Sequence, residues 1–424
     1  MKWARSILRS SLILGLGEGT SRIAMFAVVA YISRKYGMQL FGAVALAQTV
    51  ALYATQGTDV GFRLIGARLI ARSPASAPIV VSILLGKRSI TGCLAIAAAL
   101  LYAFLAPMEG YARLCVAGFA IGLVPYLFSL DWLAWGLNRF GWLSAWKAGV
   151  TITFALASFV GFRLLSDARV SLVVANFVSL SLGSLVLWII WRDKWKPGIA
   201  SSTGSEPLAE AQEALRWKVV LGLGVTVILT QAFHNADTLL LAAMKPLSEV
   251  GRYNSAYKLF LLICGVYYLI TQSLYPQLSR ARGDGSHRRR VWLGLCALTV
   301  AGTIAAILLS IFAHPILTIV YGSDLASVRL LRLLSMAIPM DFVATTLGMS
   351  FVSRGFDKHM VFSLSAAALS NIGLNLFLIP KMSAEGAAIA TLGSYVVLNV
   401  CLIVGFMVLP VFAETASRPP ENTA

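Results

Sequence analysis

Charge is scarce in this chain. Asp, Glu, Lys and Arg make up 12% of its 424 residues and hydrophobic residues 58%, whereas soluble globular proteins are about a quarter charged. Acids are scarcer than bases, 18 against 35, which leaves a net charge of +17. With 35 Gly and 14 Pro, scattered along the chain, the composition is not that of a fibrous or disordered protein. Four histidines, His234, His287, His314 and His359, lie far apart and suggest no metal site. Five cysteines, Cys93, Cys115, Cys264, Cys296 and Cys401, all fall inside apolar runs, so they read as packing residues rather than a disulfide framework. The chain has no G-x-x-x-x-G-K-[ST], no H-E-x-x-H, no C-x-x-C and no G-x-S-x-G. ATP hydrolysis by a P-loop is thereby excluded, and nothing argues for an enzyme or for a cofactor.

What is present is continuous apolar sequence, with a mean hydropathy of +0.79. Runs such as Leu295 to Phe312 show no alternation of polarity, so the class is an all-α polytopic membrane protein and not a β-barrel. Apolar runs broken by charge, Gly or Pro give about twelve spans, at 11–32, 40–58, 83–106, 114–136, 143–165, 170–191, 219–241, 253–275, 292–313, 328–350, 361–380 and 386–410. Lys and Arg collect in alternate intervals, including Arg9, Arg72, Lys87, Arg88, Lys194, Arg216 and the tract Arg280 to Arg290, which places both termini in the cytoplasm. That tract reads as a positive-inside loop before it reads as an anion-binding patch. The basic N-terminus lacks a small-residue cleavage site, and Glu18 and Arg22 interrupt its apolar run, so it reads as an uncleaved first span.

The longest polar interval, rich in Pro, Gly and Ser, divides the chain. We expect an N-terminal lobe at 1–191, a cytoplasmic linker at 192–216, a C-terminal lobe at 217–412 and a cytoplasmic tail at 413–424. The two lobes echo each other. Leu14-Gly15-Leu16-Gly17 recurs as Leu221-Gly222-Leu223-Gly224, Phe41-Gly42 as Val250-Gly251, and Pro125 and Arg139 as Pro339 and Arg354, at offsets of 207, 209, 214 and 215. Six spans per copy keep the copies parallel, related by a pseudo-two-fold axis along the membrane normal; transporters built this way hold substrate between their halves.

Ionisable residues inside spans are the candidate site. Each costs roughly 2.5–3.5 kcal/mol at a helix centre and so calls for a wet cavity or a partner. Glu18 and Arg22 share a face of the first span, either as a self-neutralising pair or as an anion-binding arginine held by a carboxylate. Gly15 and Gly19 suit close helix packing there. Asp59 and Arg63 repeat the acid-then-base spacing near an interface, where water can solvate them. His234 and Asp237 share a stripe with Gln231 and Thr238, which suits either proton carriage or plain interhelical bonding. Asp131 follows Pro125 and Asp341 follows Pro339, each beside an expected bend. Asn371, Asn375 and Asn399 add polarity to the last two spans, and Lys147 is expected to snorkel to the interface. Arg22, Glu18 and Arg63 are the substrate-binding candidates. Asp59, Asp131, His234, Asp237 and Asp341 are the ion-coupling candidates.

These features converge on a resemblance. Twelve spans in two lobes, Phe41-Gly42-Ala43, Gly57-Thr58-Asp59-Val60-Gly61 and Gly66-Ala67-Arg68 are similar to the polysaccharide-transporter branch of the MOP flippase superfamily, the O-antigen and exopolysaccharide repeat-unit flippases. Ser21-Arg22-Ile23 with Phe26 resembles the first span of the related lipid II flippases. The resemblance implies a MOP/MATE-like fold in the bacterial inner membrane. It implies alternating access for an undecaprenyl-pyrophosphate-linked oligosaccharide, with Arg22 near the pyrophosphate and a proton or sodium gradient as the drive. Polysaccharide polymerase machinery is an implied partner, and nucleic acid is not. A multidrug cation antiporter of the same superfamily is the main alternative, since five acids lie in spans. A membrane polysaccharide polymerase or ligase is disfavoured by the short outer loops.

Overall fold

The computed structural model describes residues 2–191, 212–280, 287–322 and 324–408, with side chains for 15–191, 212–268, 292–322 and 324–408. Most of the expected linker (192–211), the middle of the basic tract (281–286) and the tail from 409 lie outside the described residues.

All elements among the described residues are helical. They are α1 (Lys2–Asp59), α2 (Phe62–Arg72), α3 (Ala77–Leu105), α4 (Gly110–Ile121), α5 (Asp131–Gly136), α6 (Phe140–Leu164), α7 (Ala168–Trp191), α8 (Trp217–Met244), α9 (Leu247–Arg280), α10 (His287–Ile311), α11 (Ala313–Tyr321), α12 (Leu325–Ser335), α13 (Ala337–Arg354) and α14 (Asp357–Val408). Among the described residues, nine stretches are long and apolar enough to cross a membrane, and the chain is a multi-pass membrane protein.

The longest two helices each carry two expected spans joined at a break. In α1 the break is Gly37, at φ 83° and ψ 174°, a conformation glycine adopts without steric cost. In α14 it is Ser383, at φ 54° and ψ −131°, three residues after Pro380 has removed a backbone donor. The fourth expected span is split. Pro125 lies in a 3-10 turn, Val124–Phe128, between α4 and α5. The tenth is split as well. Helix α12 ends at Ser335 and α13 begins at Ala337; Pro339, in the first turn of α13, has no N–H for the Ser335 carbonyl, and Asp341 follows this break within two turns.

The chain forms two compact units, one of residues Met1–Gln231 with Pro246–Gly251, the other of Ala232–Lys245 with Arg252–Ala424. In the first, a buried cluster joins Phe62, Leu84, Trp132, Leu187, Leu215 and Val220. Residues at the end of the polar interval are therefore anchored. Leu215 is fully buried and its carbonyl accepts a bond from Lys87 Nζ at 2.6 Å. The Trp217 ring packs 5.7 Å from that of Phe62.

The corner between α1 and α2 is left-handed, with φ 35° at Val60 and φ 96° at Gly61. A Cβ on Gly61 would meet Leu223 Cβ at 2.9 Å. We expect Gly61→Ala to lower stability by about 1–2 kcal/mol from the backbone alone, read as a lower melting temperature of the purified protein in detergent.

Candidate functional site

Three clusters gather the buried charge, two in the first unit and one in the second. The first grows from a glycine. A Cβ on Gly17 would overlap Ser144, so its absence lets α6 lie against α1. Gly19, expected to serve this role, has nothing within 4 Å of where its Cβ would stand. One residue beyond Gly17, Glu18 reaches in two directions. Its Oε1 accepts from Arg22 Nε at 3.0 Å and its Oε2 from Lys147 Nζ on α6. Lys147, expected to snorkel, is held by this carboxylate within reach. The result is two cations on one acid, all three partly exposed, with side-chain exposures of 33% for Arg22, 27% for Glu18 and 54% for Lys147. A group of this kind carries one net positive charge and has donors that water or a ligand can reach.

The second cluster contains Asp59, Arg63 and Asp131, and its centre is Arg88, which in the sequence counts among the interval charges. Arg88 is fully buried. Its Nη2 lies 3.0 Å from Asp59 Oδ1, and its Nη1 donates to the Ser129 carbonyl at 2.7 Å. Nη2 also donates to the Tyr126 carbonyl at 3.5 Å, and the guanidinium stands 5.2 Å from the Tyr126 ring. Those carbonyls belong to the break between α4 and α5, where helix bonding fails. Arg88 therefore both neutralises an acid and bonds backbone at the break, where the Tyr126 carbonyl also accepts from Ser129 N at 3.0 Å. Tyr126 Oη donates to Asp59 Oδ2 at 2.8 Å, and Ser129 Oγ to Asp131 Oδ1 at 3.2 Å.

Arg63 pairs with Asp131, Nη2 to Oδ2 at 3.1 Å, and lies over the Trp135 ring at 5.7 Å. The expected i,i+4 pairing of Asp59 with Arg63 is thus replaced by two pairs across elements. The reason is local. Helix α1 ends at Asp59, and the left-handed corner at Val60 and Gly61 turns Arg63 off the face of Asp59. Asp59, expected near solvent, is only 6% exposed. Arg63 stands in this network rather than with Glu18 and Arg22.

The third cluster surrounds Asp237 on α8, which is 1% exposed. Its Oδ2 accepts from Tyr253 Oη on α9 at 2.6 Å and from Thr391 Oγ1 on α14 at 2.9 Å. Its Oδ1 accepts from Asn375 Nδ2, which also donates to the side chain and carbonyl of Asn371 at 3.0 and 2.9 Å. No Lys or Arg pairs with Asp237 in any ion pair seen among the described residues. A buried carboxylate ringed by neutral donors is suited to hold a proton or a small cation. His234 does not join this ring; its carbonyl accepts from Tyr257 Oη and its ring lies edge-on to Phe233. One turn further along α14, Tyr395 Oη donates to Asp341 Oδ1 at 3.0 Å and Asn399 Nδ2 to the Met340 carbonyl at 3.0 Å.

Sequence reasoning missed Arg88, Tyr126, Tyr253 and Thr391. Arg88 had a signal, since it falls inside the apolar segment 83–106; the neighbouring Lys87 made the pair look like a loop. The hydroxyl partners had none, because a tyrosine or threonine in an apolar helix is ordinary.

The sequence profile of the family described as "Polysaccharide biosynthesis protein" matches residues 7–282. A curated relative in Escherichia coli (strain K12), named "Putative O-antigen transporter", is 20% identical over 415 residues, covering 95% of this chain and 96% of the relative. Among solved structures, an inward-facing multidrug resistance MATE family transporter of the MOP superfamily aligns with a TM-score of 0.74 at 16% identity, over 94% of this chain and 96% of that one. Lipid II flippase MurJ in an inward closed conformation aligns with a TM-score of 0.62 at 14% identity, over 94% of this chain and 88% of that one. A MOP superfamily transporter from Pyrococcus furiosus, whose binding pocket is described as of reverse polarity, reaches a TM-score of 0.66 at 17% identity, over 95% of this chain and 94% of that one. The expected MOP/MATE-like all-α fold is the one observed. These relatives are transporters and flippases, not enzymes.

Proposed function

Because this chain belongs to the polysaccharide biosynthesis protein family, we propose that it is a flippase for an undecaprenyl-pyrophosphate-linked oligosaccharide, moving it from the inner to the outer leaflet of the bacterial inner membrane by alternating access. Both termini are then cytoplasmic. The observation that carries this reading is the Arg22–Glu18–Lys147 group. A pyrophosphate headgroup brings two or more negative charges into the membrane and needs cations to receive it. Arg22 offers a planar fork suited to phosphate oxygens, and Lys147 a compact second charge. Glu18 keeps both cations compensated while the site is empty and competes with the headgroup when it arrives, which favours release as well as capture.

Energy for the cycle comes, in this reading, from a proton or sodium gradient acting at Asp237. The ring of Tyr253, Thr391 and Asn375 holds the carboxylate in one geometry, and loading or unloading a cation changes the charge at its centre. Polymerase machinery would then receive the flipped repeat unit.

The test is rescue of surface polysaccharide in a strain lacking its own flippase. Arg22→Ala and Lys147→Ala are each expected to cut rescue at least about tenfold, the cost of one charge-assisted contact. Arg22→Lys is expected to recover part of it. Full rescue by both alanine variants at wild-type protein levels rejects the phosphate role. The second reading, a multidrug cation antiporter, is favoured by the burial of Asp237 among neutral donors and by the MATE likeness of the fold. It predicts raised resistance to cationic drugs in cells expressing the protein and no rescue of polysaccharide.

A further inference from the structure

We propose that the crossing of α1 and α9 at Gly42 and Gly251 is a gate made of main chain alone, which must part once in every transport cycle. The inference rests on the transport reading only in requiring that some solute crosses.

The sequence repeat pairs Gly42 with Gly251 at an offset of 209, and the same offset pairs Met38 with Leu247. In the structure these equivalent residues meet reciprocally. A Cβ on Gly42 would overlap the Leu247 carbonyl and lie 2.9 Å from Gly251 N. A Cβ on Gly251 would overlap the Met38 carbonyl and lie 3.2 Å from Gly42 N. Residue i touches j′ while i′ touches j, the signature of a contact on a two-fold axis. A local axis relating these two short segments therefore passes between the two glycines. Phe41, Ala43, Val44 and Val250 are buried beside the crossing.

Such a contact has a particular property. At a gate of side chains, a rotamer change opens a path. Where backbone lies on backbone, nothing short of separating the helices does. The two glycines are required only while the helices touch; once apart, neither helix needs a glycine at that place. An added methyl group therefore penalises the closed arrangement and leaves the open one untouched. Glycine at both equivalent positions follows from the local symmetry, since each of these two segments presents the same surface to the other.

The experiment uses the full chain with Cys93→Ser and Cys296→Ser, which removes the exposed cysteines. Gln39→Cys and Pro246→Cys, both exposed positions flanking the crossing, carry spin labels. Pulsed EPR in nanodiscs is expected to show a short and a long distance population. Gly42→Ala should deplete the short one by at least about tenfold, as overpacking against backbone does. Gly19→Ala on the same helix should leave it unchanged. A short population that survives Gly42→Ala, or a single distance under every gradient and lipid condition tried, overturns the gate. Should Gly42→Ala fail to accumulate, a cleavable thiol cross-linker across the two cysteines decides the matter in a chain that keeps both glycines. Transport is expected to stop on linking and return on cleavage; unchanged transport in the linked protein overturns the proposal. Two distance populations in a protein that flips no lipid-linked oligosaccharide would reject the substrate reading and leave the gate standing.

Discussion

An Arg88→Ala protein is expected to lose about 3–5 kcal/mol of stability, the penalty for leaving one partner of a buried pair uncompensated. The loss has two parts. Asp59, only 6% exposed, loses its counter-ion and keeps Tyr126 Oη as a donor. The Ser129 carbonyl, at the break between α4 and α5, loses the Arg88 donor, while the Tyr126 carbonyl keeps the Ser129 N–H at 3.0 Å. Lysine in place of Arg88 is expected to recover less than half, because an ammonium cannot reach the acid and both carbonyls together. The informative comparison is the double variant Arg88→Met with Asp59→Leu, which removes both charges and should be more stable than either single variant. Denaturation of the purified protein in detergent measures all five variants. If Arg88→Ala matches wild type, the network does not hold the split span together.

The second large effect concerns transport rather than folding. Asp237→Asn preserves the shape of the ring around it and removes the charge. We expect protein level and melting temperature to stay near wild type, while gradient-driven flipping in proteoliposomes falls about 10- to 100-fold, the worth of one charge-assisted hydrogen bond. What remains should no longer respond to an imposed proton or sodium gradient. Flipping with the gradient response of wild type would remove Asp237 from the coupling role. Asp341→Asn is a useful companion. Asp341 is bonded by Tyr395 and is only half-buried, so a smaller effect there separates the two acids.

Much of this architecture is legible in the chain alone, and the physical reason is that lipid leaves the backbone few options. An apolar run long enough to cross must be helix, so each of the twelve expected segments falls mainly on helix. The repeat is legible at Gly42 and Gly251, where the neighbouring backbone leaves no room for a side chain. Pairing of charges is less legible. The spacing of Asp59 and Arg63 fits a helix face, but the helix stops between them, and a left-handed corner at Val60 and Gly61 leaves no apolar pattern to betray it. Arg88 is obscured by Lys87, since adjacent charges look alike in sequence while one donates to Leu215 from a half-exposed site and the other is sealed in protein. Lys147 reads as a snorkelling side chain because its acceptor, Glu18, stands 129 residues away.

Helix α14 bends at Ser383, and two of the donors that grip Asp237 come from its two limbs, Asn375 before the bend and Thr391 after it. One carboxylate thus acts as a clasp across a jointed rod. If Asp237 carries the coupling role proposed above, taking up a cation or giving one up would change how firmly the two limbs are tied, and with it the angle between them.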